Sequence, residues 1–600
     1  MMRRIVAFLL VSLLLGALLA PTVTAVTLPE NDKLATARTA IEGAVGKDTA
    51  GAAVLIIEGG EILMAEGFGY ADIAANTLVT PDTVFEIGEL SALLVTLSIL
   101  RLVDEGTLSL EDSLTDHLAN DVVKALDLKF PVTVGQLLAG QGGFGGRVMD
   151  ISYEKEAHCF DTLTEAVLAA VPEQVTTPGT VTSYSDFGIA LLALVLEFKT
   201  GQPFSTYVID HFLEPLGMKD TQCFPKLLID APATGYTLGE DGLFYTDAHN
   251  GRRYAALAPA TGAVTSLADM QKLLLWMLSA QGLSAKSREM LGQTVSSGML
   301  TTGATPFTPL SNGALALSGS TACFSAALTL DLDAGNAALV LANTPATALL
   351  ALPTALFGGT ALPLTLPQGD MIDLKPLCGI YLPTTADLSS FVGRLAAVDA
   401  GVLVRVKEDT LYFGDIALMQ IARGVFADAT APEQPLLQFL LDENGDVAAL
   451  VLAEGTAYAA APAFRTGLAA RVVLGALLVL GALLPVFAVL GLLRWLTDVD
   501  RKGRRDSVLP LVAGALAALT ALLAGVQVLL AFKRGAAVIS SVYFALRILV
   551  LLSGIAAMVS LVLAFITTVF NRRTHRHMAL TGIAFVFFFL LCIFFGLTVM

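Results

Sequence analysis

One side-chain pairing that can perform acyl transfer is a serine with a lysine one helical turn later, because this spacing places the amine beside the hydroxyl, where it can accept the proton. Two serines on a predicted helix, Ser91 and Ser98, can be tested for this pairing. The residue three positions on is Leu94 in the first case and Arg101 in the second. A guanidinium stays protonated and cannot act as a base. We therefore expect neither serine to be a nucleophile.

Composition and charge exclude several other classes of function. The 600-residue chain carries a net charge of −17, whereas a nucleic-acid-binding protein needs a basic face. So acidic a chain would not be drawn to an anionic lipid surface either. No C-x-x-C spacing occurs among the five cysteines, so we expect no metal and no cofactor, and disulfide formation stays open. The cysteines are Cys159, Cys223, Cys323, Cys378 and Cys592.

The globular part of the chain is predicted to open with a β-hairpin and a helix. Two strand-like runs, Ala52 to Glu58 and Glu61 to Gly67, are joined by Gly59-Gly60, a two-residue connection typical of hairpins. Leucines and valines then recur at helical spacing from Leu90 to Val103, and Gly106 follows as a stop.

Strands return after a helix-rich stretch that runs to about Gln281. They are predicted at Ala314 to Ser318, Ser325 to Leu330 and Ala337 to Ala342. A sheet whose edges come from both ends of a domain, with helices inserted in the middle, is an α+β design. We assign this domain to residues 26–361.

A second, smaller unit follows the α+β domain. A proline-rich linker is assigned to residues 362–375. Short alternating strands, with a hairpin signal at Asn444-Gly445, fill residues 376–464. The sequence therefore predicts a small all-β module.

Both ends of the chain are strongly apolar. Residues 1–25 have the basic start, apolar run and small-residue cleavage pattern of a signal peptide, with an uncleaved signal anchor as the alternative. Four later stretches each match the roughly 20 residues that a membrane-spanning helix needs. They contain no carboxylate, so we interpret them as an anchor rather than a channel or carrier. The four predicted transmembrane helices are 472–493, 508–532, 548–570 and 578–599.

Basic residues predict the orientation of these spans. They concentrate in two loops, between positions 494 and 505 and between positions 572 and 576. Because the cytoplasmic loops of membrane proteins are enriched in lysine and arginine, we expect both loops to lie inside the cell. The prediction is a multi-pass protein of the cell membrane, embedded in the lipid bilayer, with its large N-terminal domain extracytoplasmic.

A set of short motifs runs through the α+β domain: Gly67 to Asp72, Val79 to Phe85, Leu102 to Leu108, Pro178 to Thr180, Ser183 to Ser185, Glu214 to Met218 and Ser325 to Asn343. From about Leu34 to Asn343 the chain resembles the serine β-lactamase-like hydrolases, which include class C β-lactamases, penicillin-binding proteins and D-alanyl-D-alanine carboxypeptidases. This resemblance implies a β-lactamase/transpeptidase-like domain. The β module with Gly379 to Thr384, followed by membrane helices, is similar to one branch of the family.

The chain departs from all three motifs on which catalysis in that family depends. Glu89 occupies the position of the nucleophilic serine, and Ala92 that of the lysine. The Tyr-x-Asn motif reads Tyr184-Ser185-Asp186. The cation-x-Gly motif on the sheet edge aligns with Leu317-Ser318-Gly319. Of the family's catalytic side chains, the resemblance leaves Tyr184 alone intact.

Two triplets imitate active-site motifs by their letters. Lys199-Thr200-Gly201 matches the third motif of the family but follows a helical run, so we interpret it as a helix C-terminal cap. Asp186-Phe187-Gly188 has the letters of a kinase motif and none of its context.

The substitutions all make the cleft more negative or less basic, because cations and bases are lost while Glu89 and Asp186 add negative charge. We expect the cleft, with ligand-contacting candidates Glu89, Tyr184, Asp186 and Ser318, to repel a β-lactam or a peptidoglycan stem peptide. Two like charges about 4 Å apart at an effective dielectric near 20 repel by roughly 4 kcal/mol. Structural roles stay open for two residues: Glu89 could complement a helix dipole, and Tyr184 could be a core tyrosine.

Two functions follow from the resemblance. The first is a catalytically silent, membrane-anchored member of the family that binds or scaffolds a cell-envelope peptide, glycan or membrane-protein partner, since loss of several catalytic groups costs orders of magnitude in rate. The second is an active hydrolase of the β-lactamase, carboxypeptidase or esterase type with displaced catalytic residues. In that case Glu89 and Tyr184 would act as acid and base on bound water.

Overall fold

The computed structural model describes most of the chain between residues 33 and 461 and part of its C-terminal end. The described residues are 33–146, 152–153, 160–223, 233–246, 251–345, 347–387, 400–461, 508–534 and 548–559, with scattered helical positions between 479 and 592. The predicted signal peptide at 1–25, the span at 578–599 apart from a few positions, and most of the span at 472–493 lie outside the described residues.

The described part of the chain contains 23 strands, numbered in chain order. They are β1 Gly51–Glu58, β2 Glu61–Asp72, β3 Thr77–Leu78, β4 Val84–Glu86, β5 Ser152–Tyr153, β6 Thr237–Leu238, β7 Phe244–Tyr245, β8 Tyr254–Ala255, β9 Val264–Ser266, β10 Thr294–Ser297, β11 Leu300–Gly303, β12 Thr308–Pro309, β13 Leu315–Ser320, β14 Ser325–Asp331, β15 Asn336–Ala342, β16 Gly379–Pro383, β17 Val402–Lys407, β18 Thr410–Phe413, β19 Ile416–Ala422, β20 Val425–Asp428, β21 Pro435–Leu441, β22 Val447–Leu452 and β23 Ala457–Ala461.

The α-helices of the described residues are numbered in the same way. They are α1 Lys33–Ala44, α2 Ala92–Asp104, α3 Asn120–Leu126, α4 Val134–Leu138, α5 Leu163–Ala169, α6 Asp186–Thr200, α7 Phe204–Val208, α8 Glu214–Leu216, α9 Ala258–Thr261, α10 Leu267–Leu278, α11 Ala285–Gly292, α12 Leu352–Phe357 and α13 Val508–Arg534. Tighter or wider turns add 3₁₀ segments at Gly88–Ser91, Leu114–His117, Ala348–Ala351 and Lys375–Leu377, and a π segment at Ile209–Leu213.

A seven-stranded antiparallel sheet forms the centre of the first domain, in the order β12-β13-β14-β15-β1-β2-β3. Strand β1, which lies between β15 and β2, is buried over seven of its eight residues, because helices cover both faces of the sheet. The strands come from both ends of the domain and the helical region lies between them in sequence. The predicted α+β class is confirmed.

The predicted opening hairpin and first core helix are also confirmed. Gly59 and Gly60 connect β1 to β2 with φ of +57° and +81°, conformations that glycine adopts without steric cost. Helix α2 buries 11 of its 13 residues, so it is the central helix of the core. It ends before Gly106, which has a φ of +70°.

Helix α6 is the second buried helix of the core, with ten consecutive buried residues. The Ser185 hydroxyl caps its N-terminus by accepting from the Gly188 amide at 3.4 Å. Gly201 ends the helix in the left-handed region, with a φ of +70°, and its amide donates to the Glu197 carbonyl at 2.8 Å. The interpretation of Lys199-Thr200-Gly201 as a C-terminal cap is therefore confirmed.

The β module is a closed barrel of eight strands, β16 to β23, so the predicted all-β module is confirmed. Side chains including Tyr381, Phe426 and Phe439 fill its interior, with ring centroids 5.6 Å apart in edge-to-face pairs. Gly445 lies in the predicted hairpin connection with a φ of +85°. The barrel also contacts the first domain, where Val181 clusters with alanines of β22 and β23.

No single described helix is both long and apolar enough to meet a hydropathy criterion for crossing a membrane. A bent pair, Asp186–Thr200 with Phe204–Leu216, meets it by length and composition, with 82° between the two halves. The four predicted spans stay a prediction.

The start of the core helix lies in backbone contact with the edge of the sheet. A Cβ on Gly319 of β13 would lie 2.2 Å from the Ile87 carbonyl oxygen and 2.6 Å from the Glu89 nitrogen. A Cβ on Gly88, whose φ is +53°, would lie 2.4 Å from the Ser320 nitrogen. Glycine is therefore required on both sides of this contact.

We expect the Gly319→Ala substitution to destabilise the protein by about 2 kcal/mol, because the added methyl group would meet backbone atoms that cannot rotate away. The matched control is Gly43→Ala within α1, where a Cβ would have no neighbour within 4 Å. This control should be neutral or stabilising by up to about 1 kcal/mol. Chemical denaturation of both variants measures the difference. An undiminished free energy of unfolding in Gly319→Ala would contradict the close approach.

Candidate functional site

A cleft between the helical region and the edge of the sheet brings the predicted site residues together. It comprises two cavities of about 220 and 340 Å³ that share Glu89 and Tyr184 in their walls. Asp186 lines the smaller cavity, and Leu317 and Ser318 line the larger one. These residues come from three separate parts of the sequence, and the fold places them around one space.

Glu89 lies in the 3₁₀ turn Gly88–Ser91 that leads into α2 and is half-buried. Its Oε2 accepts a hydrogen bond from the Ser320 backbone amide at 2.6 Å. A short bond to a charged acceptor is among the stronger hydrogen bonds in proteins. Glu89 therefore both borders the cleft and holds the first residues of the core helix to β13.

The other candidate positions on the core helix are closed to ligands. Ala92 is fully buried and lines neither cavity. Ser91 donates to the Gly88 carbonyl at 2.5 Å and accepts from the Ala263 amide at 3.0 Å. Ser98 donates to the Leu94 carbonyl at 2.7 Å. Both serines are buried and hydrogen-bonded, which agrees with the expectation that neither is a nucleophile.

Asp186 is the first residue of α6 and is half-buried, with its Oδ1 atom enclosed and without a hydrogen-bond partner. Burial raises the pKa of its carboxyl to about 7, and the nearby Glu89 charge acts in the same direction. The Tyr184 hydroxyl opposes this shift by hydrogen bonding. The carboxyl therefore changes its charge near neutral pH.

Tyr184 borders both cavities, and 37% of its surface is exposed. The pKa of its phenol lies well above its ordinary value because the hydroxyl is desolvated and faces the negative charges of Asp186 and Glu89. At neutral pH the phenol stays protonated. It can donate a hydrogen bond, but it cannot act as a base.

The sheet-edge motif contributes no charge to the cleft. Leu317 is 8% exposed and belongs to the main core, whereas Ser318 on the opposite face of β13 is exposed. Gly319 packs against the Gly88–Ser91 turn. Among the described residues that line the two cavities there is no lysine, arginine or histidine. The ionisable groups of the described lining are two carboxyls and one phenol.

Several contributors to the cleft were not predicted from the sequence, and Ser320 and Thr385 are among them. Ser320 supplies the backbone amide that binds Glu89. Its position directly after Gly319, in the sheet-edge motif, is the sequence feature that could have indicated this role. Thr385 of the β module lines the smaller cavity. Its neighbour Thr384 donates to the Ser183 hydroxyl at 2.9 Å, one residue before Tyr184. No sequence pattern joins these positions, because they are about 200 residues apart.

An antiparallel sheet with a helical region inserted between its strands, and a cleft where the first core helix meets the sheet edge, define a β-lactamase/transpeptidase-like fold. The family model described as Beta-lactamase matches residues 36–355, just over half of the chain. The chain belongs to this family.

Relatives support the family over shorter segments. Protein flp of Staphylococcus aureus (strain MW2) is 29% identical over 172 residues, which are 28% of this chain and 34% of that protein. Penicillin-binding protein 4 of Amycolatopsis lactamdurans is 28% identical over 192 residues, 32% of this chain and 49% of that protein. The matched segments therefore span about a third to a half of these relatives.

The crystal structure of SurE is similar to this chain with a TM-score of 0.53 and 20% identity, covering 72% of this chain and 99% of that chain. At this identity the likeness shows the fold. It covers more of the chain than the family model does. An octameric penicillin-binding protein homologue from Pyrococcus abyssi matches with a TM-score of 0.42 and 19% identity, over 71% of this chain and 97% of that chain.

The raised pKa of Asp186 predicts a pH-dependent effect of the Asp186→Asn substitution on stability. Between about pH 4 and pH 7 the folded carboxyl keeps a proton that the unfolded one has lost, so wild-type stability falls as the pH rises through this window. We expect Asp186→Asn to be more stable than wild type by on the order of 2 kcal/mol at pH 8, and the gain to shrink towards pH 4.

Urea denaturation at pH 4, 6 and 8 measures this difference. Asp121→Asn, at an exposed carboxyl in the first turn of α3, is the matched control. A gain in Asp186→Asn that is the same at all three pH values would contradict the assignment of the shifted pKa to this carboxyl.

Proposed function

We propose that this chain is a non-catalytic member of the β-lactamase family that binds a ligand or partner of the cell envelope from a membrane-anchored, extracytoplasmic position. One observation carries the proposal. The position that resembles the family's nucleophile is occupied by Glu89, whose carboxylate is bound to the Ser320 amide. Ala92, at the family's lysine position, is fully buried and has no amine.

The requirements of acyl transfer support the proposal that the cleft does not catalyse this reaction. Formation of an acyl-enzyme needs an attacking hydroxyl and a neutral base that accepts its proton. Among the described residues, the cavity walls have no lysine or histidine to serve as that base. The raised pKa of Tyr184 keeps its phenol protonated, so this residue cannot take the role.

The alternative function, a hydrolase with Glu89 and Tyr184 as acid and base, has weaker support. A general base needs a free carboxylate within reach of a water molecule. The Glu89 carboxylate instead accepts a 2.6 Å hydrogen bond from the Ser320 amide, so one of its oxygens already has a partner within the chain. We therefore keep binding without turnover as the proposed function.

The negative charge of the cleft favours the binding of neutral or cationic ligands. With Glu89 in its walls, and with Asp186 charged above its pKa of about 7, a carboxylate ligand would meet a repulsion of roughly 4 kcal/mol for each pair of charges about 4 Å apart. A neutral or cationic part of an envelope peptide or glycan, or of a membrane-protein partner, would meet none. The Amycolatopsis relative is named a penicillin-binding protein, and we propose that this chain binds penicillin poorly.

The proposed location comes from the sequence at both ends of the chain. Residues 1–25 have the pattern of a signal peptide, and four apolar stretches follow residue 471. The basic loops between those stretches favour a cytoplasmic side opposite the large domain. These features support an anchored receptor or scaffold.

The absence of covalent chemistry is tested by labelling the full-length protein with a fluorescent penicillin and a fluorophosphonate. We expect no covalent adduct, because the positions of the attacking hydroxyl and its base are occupied by other groups. An adduct with either probe, located by peptide mapping, would overturn the proposal in favour of a working hydrolase.

A gain-of-function variant tests whether the scaffold is intact. Glu89→Ser together with Ala92→Lys restores the pair that the family uses, and we expect this double variant to gain penicillin labelling. The single variants Glu89→Ser and Ala92→Lys are the controls and should not label. Thermal denaturation of each variant shows whether it folds. A folded double variant that stays unlabelled would indicate that the cleft lacks more than these two groups.

The membrane anchor is tested on the full-length chain in its cells. We expect the protein to stay in the membrane pellet after alkaline carbonate washing, because spanning helices resist extraction. Protease added to intact spheroplasts should degrade the part that contains residues 33–461 and spare the loops near 500 and 574. Release by carbonate, or full protection from protease, would contradict the proposed topology.

A further inference from the structure

The edge of the sheet offers a hydrogen-bond donor to the cleft. Strand β12 pairs with β13 only at Leu315 and Ala316. From Leu317 to Ser320, no described strand pairs with the outer edge of β13. An unpaired edge presents backbone groups that can bind an extended ligand. In this chain the Ser320 amide donates to the Glu89 carboxylate instead.

The contact between Glu89 and this edge is held by backbone packing. Gly88 lies against the nitrogen and carbonyl of Ser320, and Gly319 lies against the Ile87 carbonyl and the Glu89 nitrogen. The 3₁₀ turn and the strand therefore lie in backbone contact that leaves no room for a side chain between them. The Glu89 side chain reaches the amide from a fixed position.

We propose that Glu89, by accepting the hydrogen bond of the Ser320 amide, keeps this donor from ligands and thereby determines which ligands the cleft accepts. This inference rests on the proposed function, in which the cleft binds without turnover. A ligand oxygen that needs the Ser320 amide must displace a carboxylate of the same chain. The cleft consequently presents hydrogen-bond acceptors, the carboxyl oxygens of Glu89 and Asp186, to its ligands. It therefore selects for a ligand with a protonated amine, which donates hydrogen bonds and carries positive charge.

The walls of the smaller cavity indicate the rest of such a ligand. Apolar side chains surround the two carboxyls, among them Phe187, Leu257 and Pro172. An ammonium group attached to an apolar body would place its charge at Glu89 and its body against these side chains. An anion of the same shape would be repelled and would find its donor occupied. Benzylammonium and benzoate are a matched pair of probes for this difference.

Calorimetric titration of the full-length protein in detergent tests the selection. At pH 6, below the pKa of about 7, Asp186 is mostly neutral, so the effect of Glu89 is isolated. Wild type should bind benzylammonium in preference to benzoate. Glu89→Ala should weaken benzylammonium binding by about tenfold or more and strengthen benzoate binding by a similar factor, the range expected for a hydrogen bond to a charged group.

The Glu89→Gln variant separates the effect of the Glu89 charge from the effect of its hydrogen bond to the Ser320 amide. The glutamine carbonyl can still accept from the Ser320 amide, so benzoate should stay blocked while the attraction for benzylammonium is lost. Glu165→Gln, an exposed carboxyl in the first turn of α5, is the matched control and should change neither affinity. Equal benzoate affinity in Glu89→Gln and Glu89→Ala would contradict the occupancy of the amide.

Hydrogen–deuterium exchange reads the amide directly and does not depend on any ligand. In the peptide covering residues 315–324, one amide should exchange faster in Glu89→Ala than in wild type, and Glu165→Gln should match wild type. Unchanged exchange in a Glu89→Ala protein that melts like wild type would overturn the inference. Covalent penicillin labelling of wild type would instead overturn the proposed function, so the two failures are distinguishable.

Discussion

The backbone contact between the Gly88–Ser91 turn and the edge strand β13 is the constraint on which the rest of the site depends. It needs glycine at positions 88 and 319, because any Cβ there would meet backbone atoms at 2.2 to 2.7 Å. This contact joins the central core helix to the sheet and brings the Ser320 amide within 2.6 Å of Glu89. The packing of the core helix and the position of Glu89 in the cleft therefore depend on the same backbone atoms.

The charges of the described cleft follow from that geometry. Two carboxyls and a phenol converge where the family, by resemblance, has a hydroxyl and cations. Burial raises the pKa of Asp186 to about 7, and the same surroundings keep Tyr184 protonated. A cleft of this kind attracts cations and repels anions, which is the opposite of what recognition of a carboxylate substrate requires.

The barrel module takes part in the cleft as well as following it in sequence. Thr385 lines the smaller cavity, and Thr384 is hydrogen-bonded to Ser183 beside Tyr184. Gly146 of the first domain lies against the Thr385 carbonyl, where no larger residue would fit. The tight contact means that the module restricts one side of the ligand space. Residues of both domains therefore line the smaller cavity.

Local patterns in the sequence determined the α+β class, the opening hairpin, the core helix and the all-β module. Each depends on neighbours along the chain, such as the Gly59-Gly60 turn or the apolar spacing from Leu90 to Val103. Local hydropathy likewise predicts the membrane spans, which stay predictions. Tertiary structure alone decided that Glu89 is bound to Ser320, 231 positions away. Such long-range contacts depend on how distant elements pack, and packing leaves no periodic signal in the sequence.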